Sequence, residues 1–325
     1  MRALEDISFT APTGEITCLL GSSGCGKSTL LNLAAGLLDV QQGEIAVGEE
    51  TLADATRNPP PEKRPVGLVF QDGALFPHMN IAKNIAFGLS GSNQGAVAKW
   101  LDHVGLSDLG ERFPHELSGG QQQRAALARA MAPGPEVLLM DEPFASVDIV
   151  LRRRLRRDCR LLLKEQGATT ILVTHDPSEA LDVADRIAVM EGGRITQFGT
   201  PKELHDTPAT ASVGAIFGGA QVISAKRKGD QLATQFGDWP LECLAGELPE
   251  GDRFDLLVSA ENMHVFAEAD GLQVRDRHVL RVGERIVLTG SDGGEITFEG
   301  LAGMEPSDRY CVLPGAGSVR AFATI

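Results

Sequence analysis

A glycine-rich segment near the start of the chain is the feature that most constrains its fold. The residues Gly21-Ser22-Ser23-Gly24-Cys25-Gly26-Lys27-Ser28 follow an apolar run at 15–20 and open a helical pattern at 27–38. Glycines let the backbone approach phosphate oxygens, successive amide N–H groups form an anion-binding concavity, and the helix N-terminus adds a positive dipole. This strand–loop–helix context predicts a phosphate-binding loop at the end of a strand in an α/β fold.

The chemistry of the loop predicts a role for two of its side chains. Lys27 is expected to reach the β- and γ-phosphates of a nucleotide, and the Ser28 hydroxyl to ligate Mg²⁺. Cys25 lies at the helix N-terminus, where a thiolate is favoured, so it is expected to be the most reactive cysteine. The nucleotide-binding candidates here are Gly21, Ser22, Ser23, Gly24, Cys25, Gly26, Lys27, Ser28 and Thr29.

A second motif is an apolar run that ends in two acids. Residues 137–142 read Val-Leu-Leu-Met-Asp-Glu, and ligands of α/β folds bind at the carboxyl ends of strands. Asp141 is therefore predicted to hold the Mg²⁺ shell, and Glu142 to polarise the attacking water.

A third motif discriminates among families with a phosphate-binding loop. Leu117-Ser118-Gly119-Gly120-Gln121 offers a hydroxyl and two backbone amides at a helix start, which is a second anion site. The segment resembles the signature of ABC ATPases, and the other motifs stand in that family's order. The resemblance implies that Ser118, Gly119, Gly120 and Gln121 contact ATP held by the opposite subunit of a homodimer.

The same resemblance assigns three further residues. Gln71 corresponds to the glutamine that senses Mg²⁺ and the permease, His175 to the histidine that contacts the γ-phosphate, and Asp148 to an aspartate at the dimer interface. The loop before it reads Ala145-Ser146-Val147, where the family usually has Ser-Ala-Leu, which puts its fine geometry in question.

Several shorter segments resemble importer ATPases, among them Leu75-Phe76-Pro77-His78 and Phe113-Pro114-His115-Glu116. They imply an ATP-hydrolysing subunit that uses ATP and Mg²⁺, works beneath integral membrane permease subunits, and serves a substrate-binding protein indirectly. Its location would be peripheral, on the cytoplasmic face of the inner membrane. Ferric iron is the expected cargo, with polyamine, sulfate, thiamine and sugar as alternatives. A non-transport ABC ATPase and a binding-only module with a dead site are the alternatives from other classes.

Composition bears on partners and on one basic segment. The formal net charge of −14 argues against a general nucleic-acid binder, and five scattered cysteines favour a reduced compartment over a disulfide framework. The arginine-rich run at 151–157 predicts an amphipathic helix, either with a solvated basic face or with an interaction patch.

The chain is long enough for two domains. Residues 1–218 are predicted to form an α/β, P-loop NTPase domain of the ABC type with a helical subdomain at about 72–132. Residues 219–325 show short β-type runs between Gly, Asp and Pro turns, which predict a small all-β, OB-like regulatory domain. The segment from Ser90 to Gly95 is expected to be a flexible connection.

The N-terminus lacks one feature that the resemblance implies. In the family an aromatic residue ahead of the loop stacks on adenine, and Phe9 is the only aromatic residue before Gly21. Residues 7–9 read as a strand whose alternation favours packing of Phe9 over stacking. Counting back, the stacking position falls just before Met1, so weak ATP binding and poor discrimination against GTP are expected.

Overall fold

This structure is a computed structural model, and it describes residues 3–89, 94–145, 147–279, 284–298 and 307–324. Three predicted features fall partly outside these ranges: the connection at 90–95, Ser146 of the loop before Asp148, and one of the short β-type runs predicted after residue 218, at 278–280. The chain divides into two units, Met1–Lys202 and Glu203–Ile325.

The first unit alternates strands with helices. Its strands are β1 (Ile16–Leu20), β2 (Glu44–Val47), β3 (Glu50–Asp54), β4 (Val66–Val69), β5 (Val137–Asp141), β6 (Thr169–Thr174), β7 (Arg186–Glu191) and β8 (Arg194–Gly199). Its helices are α1 (Lys27–Ala35), α2 (Ile81–Ala86), α3 (Gln94–His103), α4 (Gly119–Met131), α5 (Ile149–Glu165) and α6 (Pro177–Val183).

A six-stranded sheet in the order β4-β5-β6-β1-β7-β8 forms the centre of this unit. Its first five strands are parallel neighbours, and β8 returns antiparallel to β7. Strand β1 is buried at every position, as expected for a central strand covered on both faces. The α/β fold predicted from the sequence is confirmed, although the hairpin of β2 and β3 was not foreseen.

Helix α1 is shorter than the periodicity at 27–38 predicted. It ends at Ala35 because Gly36 adopts φ +79°, the left-handed conformation that terminates helices. A Cβ at Gly36 would also lie 2.5 Å from the Arg64 guanidinium, so this turn needs glycine.

The predicted strand at residues 7–9 is wrong. These residues form no strand, although Ile7 and Phe9 are half-buried and the residues beside them are exposed. Phe9 packs on the core of the first unit, with its ring centroid 6.1 Å from that of Phe198. Its predicted packing role therefore holds without strand pairing.

The second unit begins with helices and continues with strands. Helix α7 (Pro201–Asp206) spans the division between the units and is followed by α8 (Ala211–Gly218). The strands are β9 (Gln221–Lys228), β10 (Gln231–Thr234), β11 (Gly237–Pro240), β12 (Arg253–Val258), β13 (Met263–Val279), β14 (Glu284–Thr289), β15 (Glu295–Phe298), β16 (Arg309–Pro314) and β17 (Arg320–Ala323).

The strands of this unit form two antiparallel sheets, in the orders β11-β10-β9-β12-β17 and β15-β14-β13-β16. Their shared core includes the fully buried Trp239 and Tyr310, and the Trp239 indole donates to the Val312 carbonyl at 3.1 Å. The all-β character predicted for this region is confirmed.

The observed division lies 16 residues before the boundary predicted at 218/219. Helix α8 packs on β9, β12 and β17, with Ala211 and Val213 buried. Helix α8 therefore belongs to the second unit, because it buries its apolar residues against the sheet of that unit.

No helix among the described residues is long and apolar enough to cross a membrane. Within the same residues, no group of three or more His, Cys, Asp or Glu side chains could hold a metal ion.

Candidate active site

The candidate residues leave the sheet at one edge because four neighbouring strands are parallel. Leu20 of β1 pairs with Thr174 of β6, Asp141 of β5 pairs with Val173, and Val69 of β4 pairs with Met140. The segments that follow these strands carry the phosphate-binding loop, Glu142, His175 and Gln71. These segments lie far apart in the sequence, and the sheet brings their backbones to a common edge.

The glycines of the loop between β1 and α1 meet two separate demands. Gly24 and Gly26 have φ angles of +86° and +103°, which other residues rarely adopt. A Cβ on Gly21 would lie 2.3 Å from the Met190 carbonyl oxygen of β7. The loop is therefore pressed against the neighbouring strand and turns sharply above it.

Lys27 is buried within this loop. Its ammonium donates to the carbonyl oxygens of Gly21 at 2.8 Å and Ser22 at 2.9 Å, and the residue is 5% exposed. None of the described carboxylates forms an ion pair with it. A buried charge without a counter-charge is costly, so this cation favours an anionic ligand at the loop.

The side chain of Cys25 is buried, and its sulfur lies 3.7 Å from the Lys27 ammonium. Cys25 is 5% exposed and belongs to the apolar core of the first unit. Its sulfur is so close to Gly21 that a Cβ there would lie 2.7 Å away. Burial contradicts the predicted high reactivity, and Cys311 is the most accessible of the five cysteines.

Asp141 and Ser28 face each other across the strand ends. The Ser28 hydroxyl lies 3.5 Å from the Asp141 Oδ1. Burial and the neighbouring Glu142 carboxylate raise the pKa of Asp141, while Ser28 and Lys27 act in the opposite direction. The Ser28 hydroxyl and the partly desolvated Asp141 carboxylate each offer an oxygen ligand. This pair fits Mg²⁺, a cation that prefers oxygen ligands.

Glu142 has an unusual backbone for a non-glycine residue. Its φ is +42°, and its amide donates to the Val173 carbonyl at 2.9 Å. Its Oε1 lies 3.1 Å from the His175 Nδ1, so two of the three residues predicted to be catalytic, Glu142 and His175 but not Gln71, are in contact here. Strained conformations of this kind are typical of active sites.

The signature segment begins α4. Ser118 caps the helix, accepting from the Gln121 amide at 3.4 Å, while the Gln121 side chain accepts from the Ser118 amide at 2.9 Å. Ser118 and Gly119 are exposed, and a Cβ on Gly120 would meet open space. Across the described residues, no hydrogen bond or ion pair joins this segment to the loop at 21–28.

The other two predicted residues also lie at the surface. Gln71 is exposed and lies two residues after the end of β4. Asp148 precedes α5, and its carbonyl accepts from the amides of Leu151 and Arg152 at 3.1 and 2.9 Å.

Sequence analysis missed the buried ion pairs beside His175. Arg156 of α5 is 6% exposed and pairs with three acids around α6: Asp176, Glu179 and Asp182. Neither reading of the arginine run, as solvated face or as interaction patch, fits this residue. The signal was present in the sequence as basic residues four apart in α5 and acidic residues three apart in α6.

Comparison with known proteins agrees with this geometry. Residues 4–145 match the protein family described as ABC transporter. The Fe(3+) ions import ATP-binding protein FbpC of Pseudomonas fluorescens is 47% identical over 243 residues, or 74% of this chain and 69% of that protein. The corresponding Haemophilus influenzae protein, FbpC 2, is 40% identical over 80% of this chain and 77% of its own length. The sulfate/thiosulfate import ATP-binding protein CysA 2 of Agrobacterium fabrum is 41% identical over 91% of this chain and 87% of its own. The chain therefore belongs to the import-type ATP-binding subunits of ABC transporters, which are ATPases coupled to transport.

Proposed function

We propose that this chain hydrolyses ATP at the sheet edge described above, as one half of a homodimer that powers uptake of a small solute. The observation that carries the proposal is Lys27, whose buried ammonium contacts, among the described residues, the Gly21 and Ser22 carbonyls and the Cys25 sulfur but no carboxylate. A γ-phosphate would supply the missing counter-charge. The hydroxyls and amides of the exposed Ser22 and Ser23 and of the half-buried Thr29 would surround the remaining phosphate oxygens.

Mg²⁺ would be held by Ser28 and Asp141, with Gln71 completing its shell from the end of β4. When bound, this ion neutralises phosphate charge and polarises the bond to the leaving group. The raised pKa of Asp141 is consistent with a carboxylate that gains from a nearby cation.

Glu142 would orient the attacking water and accept its proton, because it directly follows the strand that presents Asp141. His175 lies 3.1 Å from Glu142 and can hold the carboxylate in place through Nδ1–H. The other ring nitrogen, Nε2, can donate to the γ-phosphate when the ring carries both protons. The role of the pair is to position groups around the phosphate, which is the main contribution of a protein to phosphoryl transfer.

The exposed signature segment supports the dimer. Ser118, Gly119, Gly120 and Gln121 lie at the start of α4 and would form an anion site there; among the described residues, none of them is hydrogen-bonded to the loop at 21–28. In a two-fold dimer this surface would contact the nucleotide of the partner, with Asp148 at the same interface. Each of the two nucleotide sites would then be formed by the loop of one chain and the signature segment of the other.

We propose ferric iron as the cargo, because relatives that are 47% and 40% identical carry that name. Sulfate is a second candidate, since the relative named for sulfate and thiosulfate aligns with 91% of this chain and so includes most of the second unit. This subunit would work with membrane permease components, at the cytoplasmic face of the membrane, and only indirectly with a substrate-binding protein.

The site is tested with Lys27→Ala and with Ser118→Ala, measuring ATP affinity and hydrolysis. Lys27→Ala should lose both. Chains with only Lys27→Ala and chains with only Ser118→Ala should recover activity when mixed, because one of the two sites in the mixed dimer combines an intact loop with an intact signature. Absence of recovery on mixing would contradict the shared site.

The cargo is tested by deleting the gene and measuring uptake of radiolabelled ferric iron and of radiolabelled sulfate. Loss of iron uptake alone supports the first assignment, and loss of sulfate uptake alone supports the second.

A further inference from the structure

The backbone on both sides of His175 is fixed by buried hydrogen bonds. Thr174 is 1% exposed, and its hydroxyl accepts from the Asp176 amide at 3.0 Å. The same hydroxyl donates to the Glu179 Oε2 at 3.0 Å. A hydroxyl has a single proton, so the contact with the amide directs that proton towards Glu179.

The residue after His175 is fixed from a different element. The Asp176 carboxylate pairs with the buried Arg156 of α5 and also accepts from the Ser178 amide at 2.9 Å, capping α6. Arg156 also lies 3.5 Å from Glu179. One guanidinium therefore contacts both Glu179, which accepts from the Thr174 hydroxyl, and Asp176, which caps α6. The segment 174–176 is thus held between two helices.

Burying these charged and polar groups is energetically unfavourable for the folded chain. Burial raises the pKa of Glu179 to about 7, although Arg156 and the Thr174 hydroxyl act in the opposite direction. The Oε1 of Glu179 and the Nε of Arg156 are buried without hydrogen-bond partners among the described residues. An apolar cluster of the same volume would stabilise the fold at least as well, which favours a role beyond stability.

His175 itself has little packing to hold it. Its side chain is 56% exposed, and its contact with Glu142 is the polar contact that the structure shows for its ring. The direction of the imidazole therefore depends on the backbone on either side of it.

We propose that Thr174 and Arg156 are positioning residues that keep the His175 imidazole within reach of Glu142 and of the transferred phosphate. The inference rests on the catalytic role proposed above for His175. Arg152, one turn before Arg156, donates to the carbonyls of Val147 and Ala145 at 3.1 and 3.2 Å. Helix α5 thereby joins the loop before Asp148 to the loop that carries His175.

The test is Thr174→Val, which removes the hydroxyl and keeps the shape. We expect kcat to fall by about tenfold while KM for ATP changes less than about twofold, since Thr174 acts on orientation and not on nucleotide binding. Thr174→Ser should restore kcat. The matched control is Thr170→Val, at a fully buried threonine of the same strand whose hydroxyl, within the described part of the chain, donates to the Ala168 carbonyl alone.

Unfolding temperature is measured for all three variants. A structural role alone would lower it in Thr174→Val and Thr170→Val alike and leave kcat unchanged in both, which would overturn the proposal. Arg156→Lys, which keeps the charge but loses the planar guanidinium that contacts both Asp176 and Glu179, provides a second variant should Thr174→Val not fold, and it should lower kcat in the same way.

A double variant separates this inference from the role of His175. In single-turnover experiments with excess enzyme, Thr174→Val should cost less than about twofold in a His175→Ala background. An equal loss in both backgrounds would overturn the positioning role. If His175→Ala alone hydrolyses ATP normally, the proposed catalytic role of His175 fails instead.

Discussion

At the scale of single residues, Glu142 has a left-handed backbone conformation, and its carboxylate contacts His175. Glu142→Gln keeps the size of the side chain but removes its basicity, so hydrolysis should fall at least about a hundredfold while ATP binding persists. Bound ATP should then trap the dimer. Light scattering of Glu142→Gln with and without ATP checks this, and a monomer in the presence of saturating ATP would contradict the shared site.

Glu179 should leave a signature in the pH dependence of stability. Because burial raises the pKa of Glu179 from 4.5 to about 7, the folded chain keeps a proton that the unfolded chain loses in that interval. The contribution of this group to stability is full below about pH 4.5 and is lost as the pH rises through 7, by up to about 3 kcal/mol.

Glu179→Gln removes that loss because an amide does not titrate. The free energy of unfolding of the variant, relative to the unmodified chain, should therefore increase between about pH 4.5 and pH 8. Denaturant unfolding at a series of pH values measures the difference. A constant difference across the series would mean that Arg156 keeps Glu179 ionised throughout.

At the scale of elements, α5 has two kinds of arginine. Arg160 donates to the Val183 carbonyl and pairs with Asp185 at 2.7 Å, tying α5 to the end of α6. The side chain of Arg154 is 85% exposed and has one distant partner, Asp158 at 3.9 Å.

Arg160→Met should therefore lower the free energy of unfolding by about 1–3 kcal/mol, because it leaves Asp185 with one partner fewer and a carbonyl unpaired. Arg154→Met is the matched control and should change it by less than about 0.5 kcal/mol. Chemical denaturation of both variants gives the comparison. Equal small effects would mean that the whole basic face of α5 is merely solvated.

At the scale of the whole molecule, the two units predict where the chain can be shortened. A chain ending at Lys202 contains every proposed catalytic residue, so it should keep basal ATP hydrolysis within a few fold. A chain ending at Gly218 retains α8 without the strands that bury Ala211 and Val213, and it should be less soluble. Sedimentation and ATPase assays of both chains decide. A well-folded but inactive shorter chain would show that the second unit contributes to the site.

The sequence by itself determined the family, the fold class and the positions of the motifs of this protein. The loop at 21–28, the acids at 141 and 142 and the signature at 117–121 depend on local geometry: glycine conformations, a helix start and a strand end. Local geometry is encoded by neighbouring residues, so these motifs and the helix Gly119–Met131 could be identified before any fold was known. The α/β order followed from alternation of strand and helix patterns.

Only the tertiary structure decided which distant groups share an environment. Three features depend on residues that are distant in the sequence and close in the fold. They are the burial of Cys25, the contact of Glu142 with His175 and the pairing of Arg156 with the acids around α6. Periodicity can show that α5 is amphipathic but not that an arginine on it lies under another helix. The division before α8 has the same cause, because packing against β9 and β12 decides to which unit a short apolar helix belongs.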